Sequence, residues 1–397
     1  MIANKKFLYF FILNFFDKIM IFLLPFSILF FFKDKKLYNE VEIVYSVSII
    51  LYIFADGGIK NYSLAFFRNS KNKLDFIKEK MYYVNSITLF YLILFFPILI
   101  IFFVFNNYNF FFILILFRVI FLIFSNYFKV YFSMIKNQLK MLNFTIAASS
   151  TTLLYILYIK YSGKILGLFE FFIFQMIITI SLILYNIFQV NLINLSKLKK
   201  IYFESIKFSL PLIINAFVFL ITMHFIKIYS YNFLSEDTTT KIAFLMRIML
   251  IIQFSHGAFS NYFMRNFFET KKKKFDLKII FNYLLLISLV SIMLITFYPY
   301  FLKIANLNYE IDLIFILIFL YTILWCIAAF LEQYLNKFYK NKYILIYSLI
   351  SLTTYITTIF IFNNIDMITR ISMAMIFSII VYFTLILKKI IELFNER

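Results

Sequence analysis

FADGGIKNYSLAFFR (Phe54–Arg68) and FSHGAFSNYFMRNFF (Phe254–Phe268) stand in register at an offset of 200 residues. Phe54, Gly57, Asn61, Tyr62 and Phe67 face Phe254, Gly257, Asn261, Tyr262 and Phe267. With 59 Phe in the chain, the Phe matches carry little weight; with only five Gly, the Gly pair carries more, as does the Asn-Tyr pair. Pro97 nearly matches Pro299 on the same spacing. Each copy closes a long apolar run. An offset near half of the 397-residue length divides the chain into two sequential halves, 1–200 and 201–397.

The apolar runs outside the repeat decide the fold class. A helix needs about 20 apolar residues to cross the hydrocarbon core. Such runs lie near 7–32, 43–58, 81–105, 110–128, 142–159, 165–190, 208–227, 242–264, 279–299, 312–334, 343–362 and 366–387. Hydrophobic residues make up 63% of the chain and charged residues 15%, against about 45–50% and about 25% in soluble domains. A bilayer accepts that apolar surface, provided that every backbone polar group is bonded within a helix. The expected fold is therefore all-α: a polytopic membrane protein of about twelve transmembrane helices in two six-helix, pseudo-symmetric lobes. Six is even, so both halves enter from the same side. Parallel halves of this kind are a transporter arrangement, suited to rocking about a central cavity.

The formal charge of +20 is not a nucleic-acid footprint, because the Lys and Arg are scattered over short loops. They alternate by loop. Lys33, Lys35, Lys36, Lys160, Lys164, Lys227, Lys241 and Lys303 fall on one side, while most of the 39 cations fall on the other, with both termini. The positive-inside rule puts that richer side, and both termini, in the cytoplasm. Lys5 and Lys6 precede the first run without a small-residue cleavage site after it, so the first helix is expected to remain as an anchor. The single Cys326 excludes an internal disulfide and reads as a small buried hydrophobe.

Several stretches together resemble a known family. Leu37-Tyr38-Asn39-Glu40 leads toward FADGGIKNYSLAFFR, an apolar run ending in an Asp-x-Gly-like turn and an amphipathic stretch. YFESIKFSLPLIINAF (Tyr202–Phe217) brings a basic amphipathic approach to Ser-Leu-Pro at the head of the seventh span. TTTKIAFLMRIMLIIQFSHGAFSNYF carries Arg247, and LEQYLNKFYKNKYILI (Leu331–Ile346) joins the tenth and eleventh spans. The pattern resembles the polysaccharide and O-antigen (Wzx-type) flippases of the MOP, or MATE-like, transporter superfamily. That family usually has an Asp-Arg-like pair in the seventh span, where this chain has His224 and Lys227. The resemblance implies a bacterial inner-membrane protein moving a polyprenyl-diphosphate-linked glycan, an O-antigen or capsule repeat unit, from the cytoplasmic to the outer leaflet. Its implied partners are that glycan, membrane lipids and glycan polymerase machinery.

A sugar–diphosphate headgroup needs a hydrated, cationic path, and ionisable residues inside spans are the candidates to line it. Arg118, with Ser125, Asn126 and Lys129, forms a polar stripe on the fourth span. Arg118 reads either as a diphosphate contact or as one half of a structural ion pair. Arg247 reads as a cavity cation or as a side chain snorkelling to the surface. Lys18 and Lys227 complete the cationic set. The polar lining or coupling candidates are Asn14, Asp17, Asp56, Asn126, His224, Trp325 and Gln333. Trp325 and Gln333 share one stripe of the tenth span with Thr322, Ala329, Glu332 and Asn336. His224 reads as a proton coupler or as a packed histidine.

The sequence has no Walker loop, no His/Cys metal cluster and no nucleophile elbow. No catalytic residue, metal or cofactor is therefore expected, and the chain reads as a transporter and not an enzyme. Three alternatives stand beside the flippase. A multidrug or small-molecule exporter of the same fold would favour an acidic cavity. A membrane glycan polymerase or glycosyltransferase would want a large external loop. A scaffold would leave the buried cations unexplained.

Overall fold

A computed structural model describes residues 5–55, 110–134, 138–189, 195–269, 277–305, 307, 310–337 and 340–395, with some side chains in those ranges left out. Among them there is no strand. The helices are α1 (Lys5–Ser27), α2 (Lys35–Ala55), α3 (Phe110–Met134), α4 (Gln138–Tyr161), α5 (Leu168–Gln189), α6 (Leu195–Phe233), α7 (Glu236–Glu269), α8 (Leu277–Ala305), α9 (Leu313–Lys337), α10 (Asn341–Ile361) and α11 (Met367–Asn395). Each covers one of the expected spans. The third span, 81–105, lies outside the described residues, as does the first repeat copy beyond Ala55. Among the described residues, seven helices have stretches long and apolar enough to cross a bilayer: α2 and α6 through α11. The chain is an all-α, polytopic membrane protein.

The helices start and stop at chemically recognisable points. The first run is not one straight helix. α1 passes into a π turn at Ile28–Phe32 and ends at Lys33, whose φ of 56° is left-handed. α2 then starts several residues before the apolar run does, because Asp34 caps it: the Leu37 N–H donates to Asp34 Oδ1 at 2.8 Å. α6 is 39 residues long and takes Ser-Leu-Pro into its interior. Pro211 lacks one N–H donor, yet its fixed φ is compatible with the helix that runs on to Phe233. The second repeat copy lies wholly inside α7. A Cβ built on its Gly257 would meet nothing within 4 Å, so close packing does not demand the glycine.

The chain divides into two compact units, 1–39 with 214–397, and 40–213. In the larger unit α11 packs along α9 and α10, and α7 packs against α1, α8 and α9. Phe26 of α1 stacks on Phe244 of α7, with centroids 5.8 Å apart. Phe315 of α9 lies 4.6 Å from Tyr298 of α8. The opposite face of α8 is apolar and bare: Phe281, Leu289, Ile292, Met293 and Phe297 are all exposed. Such a face belongs in lipid, because a water-exposed patch of this kind is rare on soluble proteins. In the smaller unit α3, α4 and α5 pack on one another, with Phe171, Phe172 and Ile156 at the centre.

Ion pairs tie the short connections of the larger unit. Lys35 pairs with Asp237 at 2.5 Å, and Asn39 Nδ2 donates to Thr240 Oγ1 and to the Glu236 carbonyl. Lys241 pairs with Asp312. Asp312 also caps α9 by accepting from the Phe315 N–H at 2.9 Å. Asp237 is largely exposed, so Asp237→Asn is expected to change stability by less than about 1 kcal/mol. Asp312→Ala removes a cap as well as a pair and is expected to cost about 1–2 kcal/mol. Thermal unfolding in detergent, read for both variants, checks the order. At the other end of α10, Arg370 Nη2 donates to the Asn363 and Ile365 carbonyls and closes the turn into α11.

Candidate functional site

Arg118 sits in the middle of FFFILILFRVIFLIF on α3, where the neighbouring side chains offer no other cation. It is buried, and side chains from two other helices, α2 and α5, reach it. Its Nη1 donates to Gln175 Oε1 of α5 at 2.6 Å. Its guanidinium carbon lies 3.4 Å from the ring centroid of Tyr45 of α2. Gln175 Nε2 reaches the Tyr45 hydroxyl at 3.5 Å, at the limit of a hydrogen bond. Phe171 and Phe172 of α5 pack against Tyr45 in turn, so the platform is fixed by aromatic contacts. A guanidinium keeps its charge in any such setting, and the amide oxygen and the π-face fix where that charge sits. Glu42 and Ser46, also buried, flank Tyr45 on α2.

The larger unit buries its own ionisable residues. Lys227 and His224 of α6 and Arg247 of α7 are at most 8% exposed, and Asp17 of α1 is fully buried. Arg247 and Lys227 are therefore not surface snorkellers. Lys18 lies 4.0 Å from Asp17 and stands over the Phe254 ring of α7 at 5.8 Å. This brings the acidic and basic candidates of the first span together with one face of α7.

Two polar clusters of the larger unit involve residues that the sequence did not connect. His256 Nδ1 and the Tyr283 hydroxyl are 2.7 Å apart, and that hydroxyl donates to the Cys326 carbonyl at 2.7 Å. One hydroxyl hydrogen serves one acceptor, so His256 must be the donor on its side and carry its hydrogen on Nδ1. Trp325 packs edge-on against His256, and Tyr283 stacks on Phe330 at 4.2 Å. Trp325 thus has a packing partner on α7. In the second cluster, Glu332 of α9, Asn215 of α6 and Tyr382 of α11 meet within 3.2 Å of one another. Gln333 follows Glu332 on α9 and is half-buried.

The side chains of Asn14 and Asn126, and Asp56 altogether, lie outside the described residues. Among the described residues no group of three or more His, Cys, Asp or Glu could hold a metal ion. Tyr45 and Gln175 could have been singled out as polar residues inside apolar runs. Their pairing with Arg118 could not, since 57 to 130 residues separate Gln175 from its partners. A groove along α10, lined by Ile346, Leu349, Ile350, Thr353, Thr354 and Thr357, is one face of one helix. Its threonine hydroxyls bond back to carbonyls of the same helix, so it has no converging polar groups.

The fold is that of solved MATE-like transporters. The MATE multidrug transporter DinF-BH, solved as a complex, superposes with a TM-score of 0.67 at 16% identity, over 98% of this chain and 96% of that one. The lipid II flippase MurJ, in an inward closed conformation, gives 0.59 at 16% identity over 96% and 87%. A MOP superfamily transporter from Pyrococcus furiosus Vc1 (DSM3638), described as having a binding pocket of reverse polarity, gives 0.55 at 10% identity over 98% and 96%. No protein-family model and no curated protein matches the chain.

Proposed function

We propose that this protein is a flippase that carries a polyprenyl-diphosphate-linked oligosaccharide, an O-antigen or capsule repeat unit, across the bacterial cytoplasmic membrane by alternating access. Both termini face the cytoplasm, and the sequence halves 1–200 and 201–397 are the two six-helix lobes. The protein catalyses no covalent step. The observation that carries the reading is Arg118: a guanidinium buried on an apolar helix and contacted by Gln175 and the Tyr45 ring. Keeping a cation at that depth is costly. A diphosphate rewards it with paired, charge-assisted hydrogen bonds. The larger unit buries cations of its own, Lys227 and Arg247. The fold shared with the lipid II flippase supports a lipid-linked substrate.

A second reading is export of a lipophilic cation. The buried Asp17 and Glu42 favour it, as does the fold shared with a multidrug transporter. Binding separates the two. Purified protein in lipid nanodiscs should bind a fluorescent polyprenyl-diphosphate oligosaccharide and leave a rhodamine-type cation in solution. The reverse preference would overturn the flippase reading. The orientation is checked in a Cys326→Ala background, which is cysteine-free. A cysteine placed in the Lys271–Lys274 segment should react with a membrane-impermeant thiol reagent only after the cells are opened.

A further inference from the structure

The cluster of Glu332, Asn215 and Tyr382 is a closed triangle of polar atoms, and a count of hydrogens decides its protonation. Asn215 Nδ2 donates to Glu332 Oε2 at 3.0 Å. The Tyr382 hydroxyl donates to Asn215 Oδ1 at 2.9 Å. The third edge, between the same hydroxyl and the same Glu332 Oε2, is 3.2 Å. Three edges need three hydrogens. The amide supplies one edge, because both of its hydrogens sit on one nitrogen at one corner, and Tyr382 supplies a second. The third must come from the carboxyl itself. Turning the amide over exchanges its nitrogen and oxygen but only moves the deficit to the Asn215–Glu332 edge. With an ionised Glu332, one edge would set two acceptor oxygens against each other or leave a single hydroxyl hydrogen split between them.

The surroundings supply no charge in compensation. Among the described residues no cation pairs with Glu332, whose other polar neighbour is Asn336 on its own helix. From α7 and α8, His256 and Tyr283 face α9, but they bond each other and the Cys326 carbonyl. From α10, the buried Tyr355 hydroxyl makes no hydrogen bond among the described residues. From α11, Lys389 is engaged by Glu392 and lies over the Tyr343 ring. From α6 the facing group is Asn215 itself. Phe219 of α6 closes the apolar wall, edge-on to Tyr382 at 4.6 Å.

We infer that Glu332 is a proton-binding site: it holds a proton that completes a hydrogen-bonded ring joining α6, α9 and α11. Loss of that proton opens one edge of the ring and loosens the junction of the three helices. This gives the larger unit a means to link proton occupancy to helix packing, whatever substrate the protein carries.

Infrared difference spectroscopy of the full chain in lipid tests it. At neutral pH the wild-type protein should show a carboxylic-acid C=O band that is missing from Glu332→Gln, a neutral replacement with the same outline. On alkalinisation that band should give way to a carboxylate band in the wild type alone. A wild-type-minus-variant spectrum with a carboxylate band and no carboxylic-acid band would overturn the inference. Should Glu332→Gln not fold, Tyr382→Phe keeps the carboxyl and removes the oxygen that accepts its hydrogen. The acid band should then move to higher frequency, and a spectrum unchanged in that region would overturn the inference equally.

Discussion

An Arg118→Ala protein is expected to transport the anionic lipid-linked substrate roughly a hundredfold more slowly than wild type, or worse. Truncating one partner of a buried, hydrogen-bonded charge pair costs about 2–5 kcal/mol, and each 1.4 kcal/mol is about tenfold. The loss should be graded by what each substitution leaves behind. Arg118→Lys keeps the charge but not the planar fork, so it should retain part of the rate. Tyr45→Phe keeps the ring under the guanidinium and should transport nearly as well as wild type. Tyr45→Leu and Gln175→Ala each remove a group that holds Arg118, and should slow transport severalfold while the protein still folds. Initial rates in proteoliposomes, normalised to folded protein, read the series. A wild-type rate for Arg118→Ala would take Arg118 out of the substrate path.

The second large effect is on stability and falls on Tyr283. Its side chain is fully buried. It stacks on Phe330, contacts Phe259, and its hydroxyl ties α7 to α9 through His256 and Cys326. Interiors are close-packed, and in a membrane bundle packing is itself a main source of helix association. Tyr283→Ala leaves a ring-sized cavity at the junction of three helices. It is expected to cost about 3–5 kcal/mol, the range for aromatic truncation. Tyr283→Phe keeps the ring and loses only the hydroxyl bonds, worth about 0.6 kcal/mol each on average inside membranes. Thermal unfolding in detergent should therefore rank wild type slightly above Tyr283→Phe and both well above Tyr283→Ala. A Phe variant as unstable as the Ala variant would mean that the polar relay, and not the stacking, holds the junction.

Sequence alone carried the account a long way where the physics is local. The apolar length that a bilayer demands is written in single runs, so every described helix falls on an expected span. Arg118, Arg247 and Lys227 stand out because a cation in an apolar run is visible without a structure. Helix ends were less legible. The Asp34 cap starts α2 well ahead of its apolar run, and α6 starts at Leu195, ahead of the Ser-Leu-Pro expected at its head. Partners were least legible, because they are set by which helix faces meet. Nothing in the run FFIFQMIITI assigns Gln175 to Arg118, and nothing in LEQYLNK assigns Glu332 to Asn215 and Tyr382. The edge-on contact of Trp325 with His256 of α7 is likewise set by which faces meet.

Whether the chain moves an anionic lipid-linked glycan across the bilayer is decided by a leaflet-exposure assay. Purified protein is reconstituted in liposomes with a fluorescent polyprenyl-diphosphate oligosaccharide in the inner leaflet. The appearance of glycan at the outer leaflet is followed with an impermeant, sugar-modifying reagent. Exposure should accelerate with protein content and fall toward the protein-free rate in Arg118→Ala. Well-folded wild-type protein that leaves exposure at the protein-free rate, across several glycans, would contradict the flippase reading.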